Sequence, residues 1–516
     1  LGNIKPGGTR QMFINLNKIR SAGPILLWDA YNVSFQQEPK QVAFHPSNDS
    51  DGPGAYVRGG NNILDGAHGG EATIPPLVTD LRLLKMKEQD FMAATQATIK
   101  LGMSFENWKD VGEKYFHSFG TTGTDHWTAG FQHFWLKDRD RGSKSEYGDY
   151  CLELVAAREG KFGHLPKQGL NYAFHLDATL FARLLRQFSE ALGVRRLEGK
   201  IQEIDTHPET GYVTSLKMES GQVVEGDLFI DCTGFRGLLI EQALKTGYED
   251  WTHWLPCDRA LALQTESMIE PVPYTRAIAH SAGWQWRIPL QHRVGNGLVF
   301  SSQYMDEDKA RDHLLKNIVG GHLGKPRLLK FITGRRLKNW NRNVIALGLA
   351  SGFVEPLEST SIHLIQQGLI RLMQLFPHEG IKQSDINEYN KHSQLEIEYI
   401  RDFIILHYKL TNRHDTPFWR YCRDLDIPDT LADRMRLFRE TARVYRVRED
   451  LFKENSWVQV MFGQGIMPEQ FHQVTNVMSD DELTRFLQGI KSRVDNTVAK
   501  LPPHQAYVEQ YCKSPA

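Results

Sequence analysis

The residues of this chain best suited to chemistry begin with two tryptophans, in Gly283-Trp284-Gln285-Trp286-Arg287-Ile288-Pro289. Side chains alternate along a strand, so Trp284 and Trp286 share a face, and Pro289 limits how far that strand can pair. Two large π-faces suit the gripping of a flat aromatic molecule, and they suit a hydrophobic core equally well. A second segment, Gly352-Phe353-Val354-Glu355-Pro356-Leu357-Glu358-Ser359-Thr360-Ser361-Ile362-His363, runs into a helical pattern through Ile365, Leu369, Leu372 and Phe376. That pattern places Ser359, Thr360 and Ser361 at a helix N-terminus, where free N–H groups and the dipole favour an anion. Plain N-capping would use the same residues. Glu358 is either a surface or capping acid, or a base placed to take a proton from an activated ring. Lys100 sits in the apolar run Ala97-Thr98-Ile99-Lys100-Leu101-Gly102-Met103. Such lysines mostly snorkel to solvent, which is the expectation from these residues alone. Once buried, the same amine would lose basicity and become available as a neutral group. His117-Ser118-Phe119-Gly120 adds an imidazole and a ring without further local signal.

The elements that must position these groups are those of an α/β protein. Asp177 caps a predicted helix over 177–192, with Leu180, Phe181, Leu184, Leu185, Phe188 and Leu192 at helical spacing. Strands are predicted at 200–205, 211–218 and 222–230, separated by turns at 207–211 and 219–221. Asp227-Leu228-Phe229-Ile230-Asp231-Cys232-Thr233-Gly234 reads as a buried strand entering a sharp glycine turn, and Val344-Ile345-Ala346-Leu347-Gly348 as a second. Beyond about residue 380 the chain reads as mainly helical. There Ser479 and Glu482 form a capping box before the stripe Leu483, Phe486, Leu487, Ile490, Val494 and Val498. Residues 1–69, rich in Gly, Asn, Pro and Ser, show little periodicity.

Bulk composition excludes several classes. The 516 residues carry 61 Lys+Arg against 62 Asp+Glu, a net charge of −1, which gives no electrostatic case for nucleic acid. Mean hydropathy is −0.44, and no apolar run approaches a membrane span. The five cysteines are scattered, with no CxxC and no metal-like His/Cys spacing, so no metal is expected and a cytoplasmic location is.

Taken together, these motifs resemble the flavin-dependent tryptophan halogenases. Trp284-Gln285-Trp286-Arg287-Ile288-Pro289 matches their W-x-W-x-I-P signature. Gly70-Glu71-Ala72-Thr73-Ile74-Pro75 matches the strap that links flavin and substrate sites, and Phe353-x-x-Pro356-x-x-Ser359 matches the F-x-x-P-x-x-S motif. Lys100 falls at the catalytic lysine, and Asp231-Cys232-Thr233-Gly234-Phe235-Arg236 resembles a late flavin-contacting segment. The resemblance implies an FAD-binding, three-layer (Rossmann-like) fold of the flavoprotein monooxygenase type. Its core would span 1–380 with an interleaved substrate-binding sheet and an atypical 1–69, and a mainly helical substrate-covering region would span 381–516. It implies that FADH2 and oxygen oxidise chloride or bromide to hypohalous acid, that Lys100 carries the oxidant, and that Glu358 stabilises the ring cation or takes its proton. Thr360 and Ser361 would hold the halide. His117, Phe119, Trp284, Trp286 and Trp457 would position the substrate. Gly70, Glu71, Ala72, Thr73, Ile74, Pro75, Asp231, Gly234, Gly348 and Pro356 would contact the flavin.

The chain departs from the pattern in its first part. No G-x-G-x-x-G follows a first strand; Pro6-Gly7-Gly8-Thr9 and Gly52-Pro53-Gly54 are only fragments of a glycine-rich turn. With the other motifs intact, and with Leu1 in first place, this points to an altered N-terminal sequence. Ser361 stands where many members have glycine, narrowing the anion site. No Tyr-Tyr pair accompanies Leu451-Phe452-Lys453-Glu454-Asn455-Ser456-Trp457, so free indole or a larger indole compound stands beside tryptophan as substrate. A separate flavin reductase is the expected partner, with no nucleic acid and no membrane, and a homodimer is an assembly the reading allows. The rival readings are a flavin-dependent aromatic hydroxylase and a non-catalytic binding protein of the same fold.

Overall fold

The computed structural model describes residues 40–44, 55–58, 71–165, 169–447 and 450–513. Two sheets organise the molecule. In the larger, seven strands run in the order Arg327–Lys330, Arg259–Glu266, Arg293–Phe300, Gly283–Pro289, Thr275–His280, Gly102–Glu106, Lys114–Ser118. All neighbours are antiparallel except Thr275–His280 against Gly102–Glu106. The second sheet has six strands, in the order Trp340–Asn341, Val344–Ala346, Leu228–Asp231, Lys40–Phe44, Ala55–Arg58, Arg195–Glu198.

The two buried strands read from the sequence, Leu228–Asp231 and Val344–Ala346, pair in parallel. The strands Lys40–Phe44 and Ala55–Arg58 pair antiparallel with each other, and the first is antiparallel to Leu228–Asp231. Among the described residues this sheet is therefore mixed. Pro6-Gly7-Gly8-Thr9, Gly52-Pro53-Gly54 and Gly70 lie outside the described residues.

Helix signals fall where the periodicity put them. Asp177 Oδ1 accepts from the Thr179 and Leu180 amides at 2.9 and 3.0 Å, starting Ala178–Ala191. Ser479 and Glu482 form their capping box before Asp480–Val498, which buries Leu483, Leu487, Ile490, Val494 and Val498. The run predicted as one strand over 222–230 splits at Gly226-Asp227: Val223–Glu225 closes a three-stranded meander, and Leu228–Asp231 enters the six-stranded sheet.

From Gln383 the chain is mainly helical. The 27-residue helix Gln383–Lys409 buries Ile400, Phe403, Ile404, Ile405, Leu406 and Tyr408 in the same core as Trp284 and Trp286 of the seven-stranded sheet. The helical region thus closes over that sheet, and the two share one hydrophobic interior.

Candidate active site

Lys100 ends the short strand Thr98–Lys100, which pairs with Ala173–His175. Both neighbouring elements are buried, so no route to solvent remains for the side chain. Lys100 is 0% exposed, against the snorkelling expected from its local sequence. Its Nζ donates to Ser359 Oγ at 2.8 Å and to the Thr73 carbonyl at 3.1 Å, and lies 5.2 Å from the Phe119 ring centroid. Burial lowers its pKa to about 7, and the nearby Glu358 charge offsets only part of that fall.

Thr73 belongs to the strap. Its amide donates to the Phe174 carbonyl at 3.0 Å and its hydroxyl to the same oxygen at 2.9 Å, while Leu176 N donates to the Glu71 carbonyl at 2.8 Å. Ala72 bridges His175. Glu71 is fixed from the other side by Arg293, whose Nη2 meets Glu71 Oε1 at 2.6 Å and Asp177 Oδ2 at 2.8 Å. Ile74 is buried, and Pro75 caps the helix Pro76–Leu83. The strap is thereby held against the strand that follows the tryptophan pair.

Glu358 closes the turn Pro356–Glu358 and is 1% exposed, so it is neither a surface acid nor a cap. His117 Nδ1 lies 2.9 Å from its Oε2, and His407 Nε2 lies 3.0 Å from its Oε1. Burial alone would raise its pKa, but the His117 and His407 imidazoles overcome this and hold it at about 2. His407 and its partner Tyr115, whose Oη is 2.6 Å from Nδ1, carried no local sequence signal.

Ser359 has φ +59°, the left-handed region, and so lies in the turn before the helix and not on it. The helix is Ser361–Gln374, with Thr360 at its N-cap. The first helical bond at this end joins Leu364 N to the Thr360 carbonyl at 3.0 Å. The preceding N–H groups therefore have no helical partners. Thr360 makes no side-chain cap, and its Oγ1 is buried with no partner among the described residues. That orphaned hydroxyl beside free amides fits a small anion better than plain capping.

The rings form two groups. His117, Phe403, Phe452 and Trp457 cluster by Glu358: His117–Phe403 centroids are 5.4 Å apart, Phe403–Phe452 stack at 3.8 Å, and Phe403–Trp457 meet edge-on at 4.8 Å. Phe403 and Phe452 are members that motif reading missed. Trp284 and Trp286 lie 6.1 Å apart at 59°, both buried in the main core. The Trp286 indole lies over Gly297 on the paired strand, where a methyl group would overlap it. Trp284 packs against Trp108, and its Nε1 donates to Glu355 Oε2 at 2.9 Å. Burial raises Glu355 to about 7 even though Tyr408 also donates to Oε2, at 2.6 Å. Trp108 also approaches His407 at 6.2 Å, which joins the two groups.

On the flavin side, the turns Gly234–Arg236 and Gly348–Ala350 pack together just beyond the carboxyl ends of the parallel strands, with Gly234 at φ +68° and Gly348 at φ +60°. Open α/β sheets bind ligands at such strand ends. The paired turns carry Gly234 and Gly348 to such an edge, where they would suit a flavin. Asp231 itself is fully used: Oδ1 accepts from Thr233 N and Oγ1 at 2.9 and 2.7 Å, and Oδ2 from Leu239 N and Ile240 N, both at 2.8 Å. Its geometry is that of the group that holds the turn.

Fold and site together define a flavin-dependent halogenase. The family model for tryptophan halogenases matches residues 66–480, and the chain belongs to that family. It is 30% identical over 484 residues to the tryptophan 7-halogenase RebH of Lentzea aerocolonigenes, covering 86% of this chain and 90% of that one. The solved structure of Xcc4156, a flavin-dependent halogenase from Xanthomonas campestris, superposes with a TM-score of 0.88 at 52% identity, covering 96% of this chain and 97% of the other. BrvH, a flavin-dependent halogenase from Brevundimonas sp. BAL3, gives 0.83 at 42% identity, covering 86% and 91%. Among the described residues no helix is long and apolar enough to cross a membrane.

Proposed function

We propose that this halogenase acts on an indole ring with chloride or bromide, and that free indole or a non-amino-acid indole is a better substrate than tryptophan. The observation carrying the reaction is the buried frame Lys100–Ser359–Glu358, in which an amine of lowered basicity and a carboxylate held charged are one residue apart through Ser359. Reduced flavin, when bound, supplies with oxygen the oxidant for halide. Thr360 Oγ1 and the amides beginning Ser361–Gln374 hold the halide. Lys100, near neutrality half deprotonated, takes the hypohalous acid by hydrogen bond or as a haloamine and presents the halogen to the ring. Glu358 stabilises the ring cation and takes its proton. The aromatic groups exclude water and fix which carbon faces Lys100.

The indole preference is supported by the segment around Trp457, which lacks a tyrosine pair for an amino acid's carboxylate and ammonium. FADH2 comes from a separate reductase in a cytoplasmic setting. Competition between indole and tryptophan, with reductase, FAD, NADH, oxygen and bromide supplied, tests this by mass spectrometry. Bromoindole should dominate; bromotryptophan as the main product would overturn the preference.

A further inference from the structure

The helix Gln383–Lys409 delivers consecutive residues to the two buried carboxylates of the 355–358 turn: His407 to Glu358, at 3.0 Å, and Tyr408 to Glu355, at 2.6 Å. His407 is 0% exposed and stacks at 4.4 Å on Phe105. Its Nδ1 faces Tyr115 Oη at 2.6 Å, and Gln464 Nε2 donates to that same Oη at 3.2 Å and to the His407 carbonyl at 2.7 Å. Because Gln464 supplies a proton to Tyr115 Oη, the phenol is left to donate to Nδ1. That leaves Nε2 as the protonated nitrogen, facing Glu358 Oε1.

We infer that His407, oriented through Tyr115 and Gln464, is a positioning residue that keeps Glu358 ionised inside a buried site. The groups facing Glu358 are His117 from the strand Lys114–Ser118, His407 and, electrostatically, Lys100 and Tyr115. His117 sits in the proposed substrate group, which leaves His407 as the partner outside it. Loss of the imidazole 3.0 Å from Oε1 should leave His117 as the one imidazole beside this buried charge, which then protonates more easily. The inference rests on Glu358 acting in the proposed halogenation, but its charge state can be read without turnover.

The test is an infrared titration of the full chain, without substrate, for wild type, Glu358→Gln, His407→Phe and His407→Gln. The protonated carboxyl band absent from Glu358→Gln identifies Glu358. In His407→Phe that band should appear at a pH at least one unit higher than in wild type, and His407→Gln, which keeps a donor, should restore at least half of the shift. In turnover, the acid limb of halogenation should move upward in step while FADH2 oxidation holds. A Tyr115→Phe variant should shift the band in the same direction by less. An unmoved Glu358 band in folded His407→Phe overturns the inference, whether or not the wild type halogenates. A moved band with no halogenation by wild type would instead fail the proposed function and leave the inference standing.

Discussion

At the scale of single residues, the site depends on two opposite treatments of buried charge. Lys100 is deprived of water and of a full counter-ion, and so moves to about 7; Glu358 is equally buried but has two imidazoles, and so stays near 2. Lys100→Ala should abolish halogenation while flavin oxidation continues, measured side by side as halogenated product and FADH2 consumed. Glu358→Gln should lower the halogenation rate by about 10²–10⁴-fold with the same continued oxidation. The lysine also sets a pH signature of stability. Its folded pKa lies below the unfolded value of 10.5, so between about 7 and 10.5 the unfolded chain binds a proton that the folded one does not. That contribution rises with pH across the window. Lys100→Met should therefore be stabilising at and below pH ~7, by up to a few kcal/mol, and its advantage should fade toward pH ~10 in denaturant titrations.

At the scale of elements, the tryptophan strand Gly283–Pro289 works because its neighbour offers no side chain under Trp286. Gly297→Ala should cost about 1–3 kcal/mol by overpacking and weaken indole binding, measured by thermal melting and by ligand titration. The strap is tied by ion pairs, and Arg293→Met should cost about 3–5 kcal/mol by stranding Glu71 and Asp177. These elements were unevenly legible in the sequence. The caps at Asp177 and Ser479 and the period of 178–191 are local signals, and they fixed those helices to within a residue or two. Lys100 was misjudged because its burial comes from Ala173–His175 and the strap, which its own neighbours do not reveal. Ser359 stands at the helix N-terminus as the periodicity placed it, but its left-handed backbone leaves no mark on that periodicity. His407, Phe403 and Phe452 reach the site only through tertiary packing, so no spacing pointed to them.

At the scale of the whole molecule, sheet and helical region share one interior, so the boundary near residue 380 separates architecture and not stability. Thermal unfolding followed by tryptophan fluorescence and by far-ultraviolet dichroism should give coincident transitions for the seven-stranded sheet and the C-terminal helices; two separated transitions would contradict a shared core. The same packing brings three stretches of chain together around Ser359: the strap, the lysine strand, and the turn that carries both the carboxylate and the anion cap. The most direct measurement of what that meeting accomplishes offers wild type and Lys100→Ala a reductase, FAD, NADH, oxygen, bromide and indole, and follows products by mass spectrometry alongside FADH2 oxidation. Wild type alone should give the paired bromine isotope pattern on indole, with flavin oxidation in both. A hydroxylated indole without bromine from wild type, or bromoindole from Lys100→Ala, would contradict halogenation through Lys100.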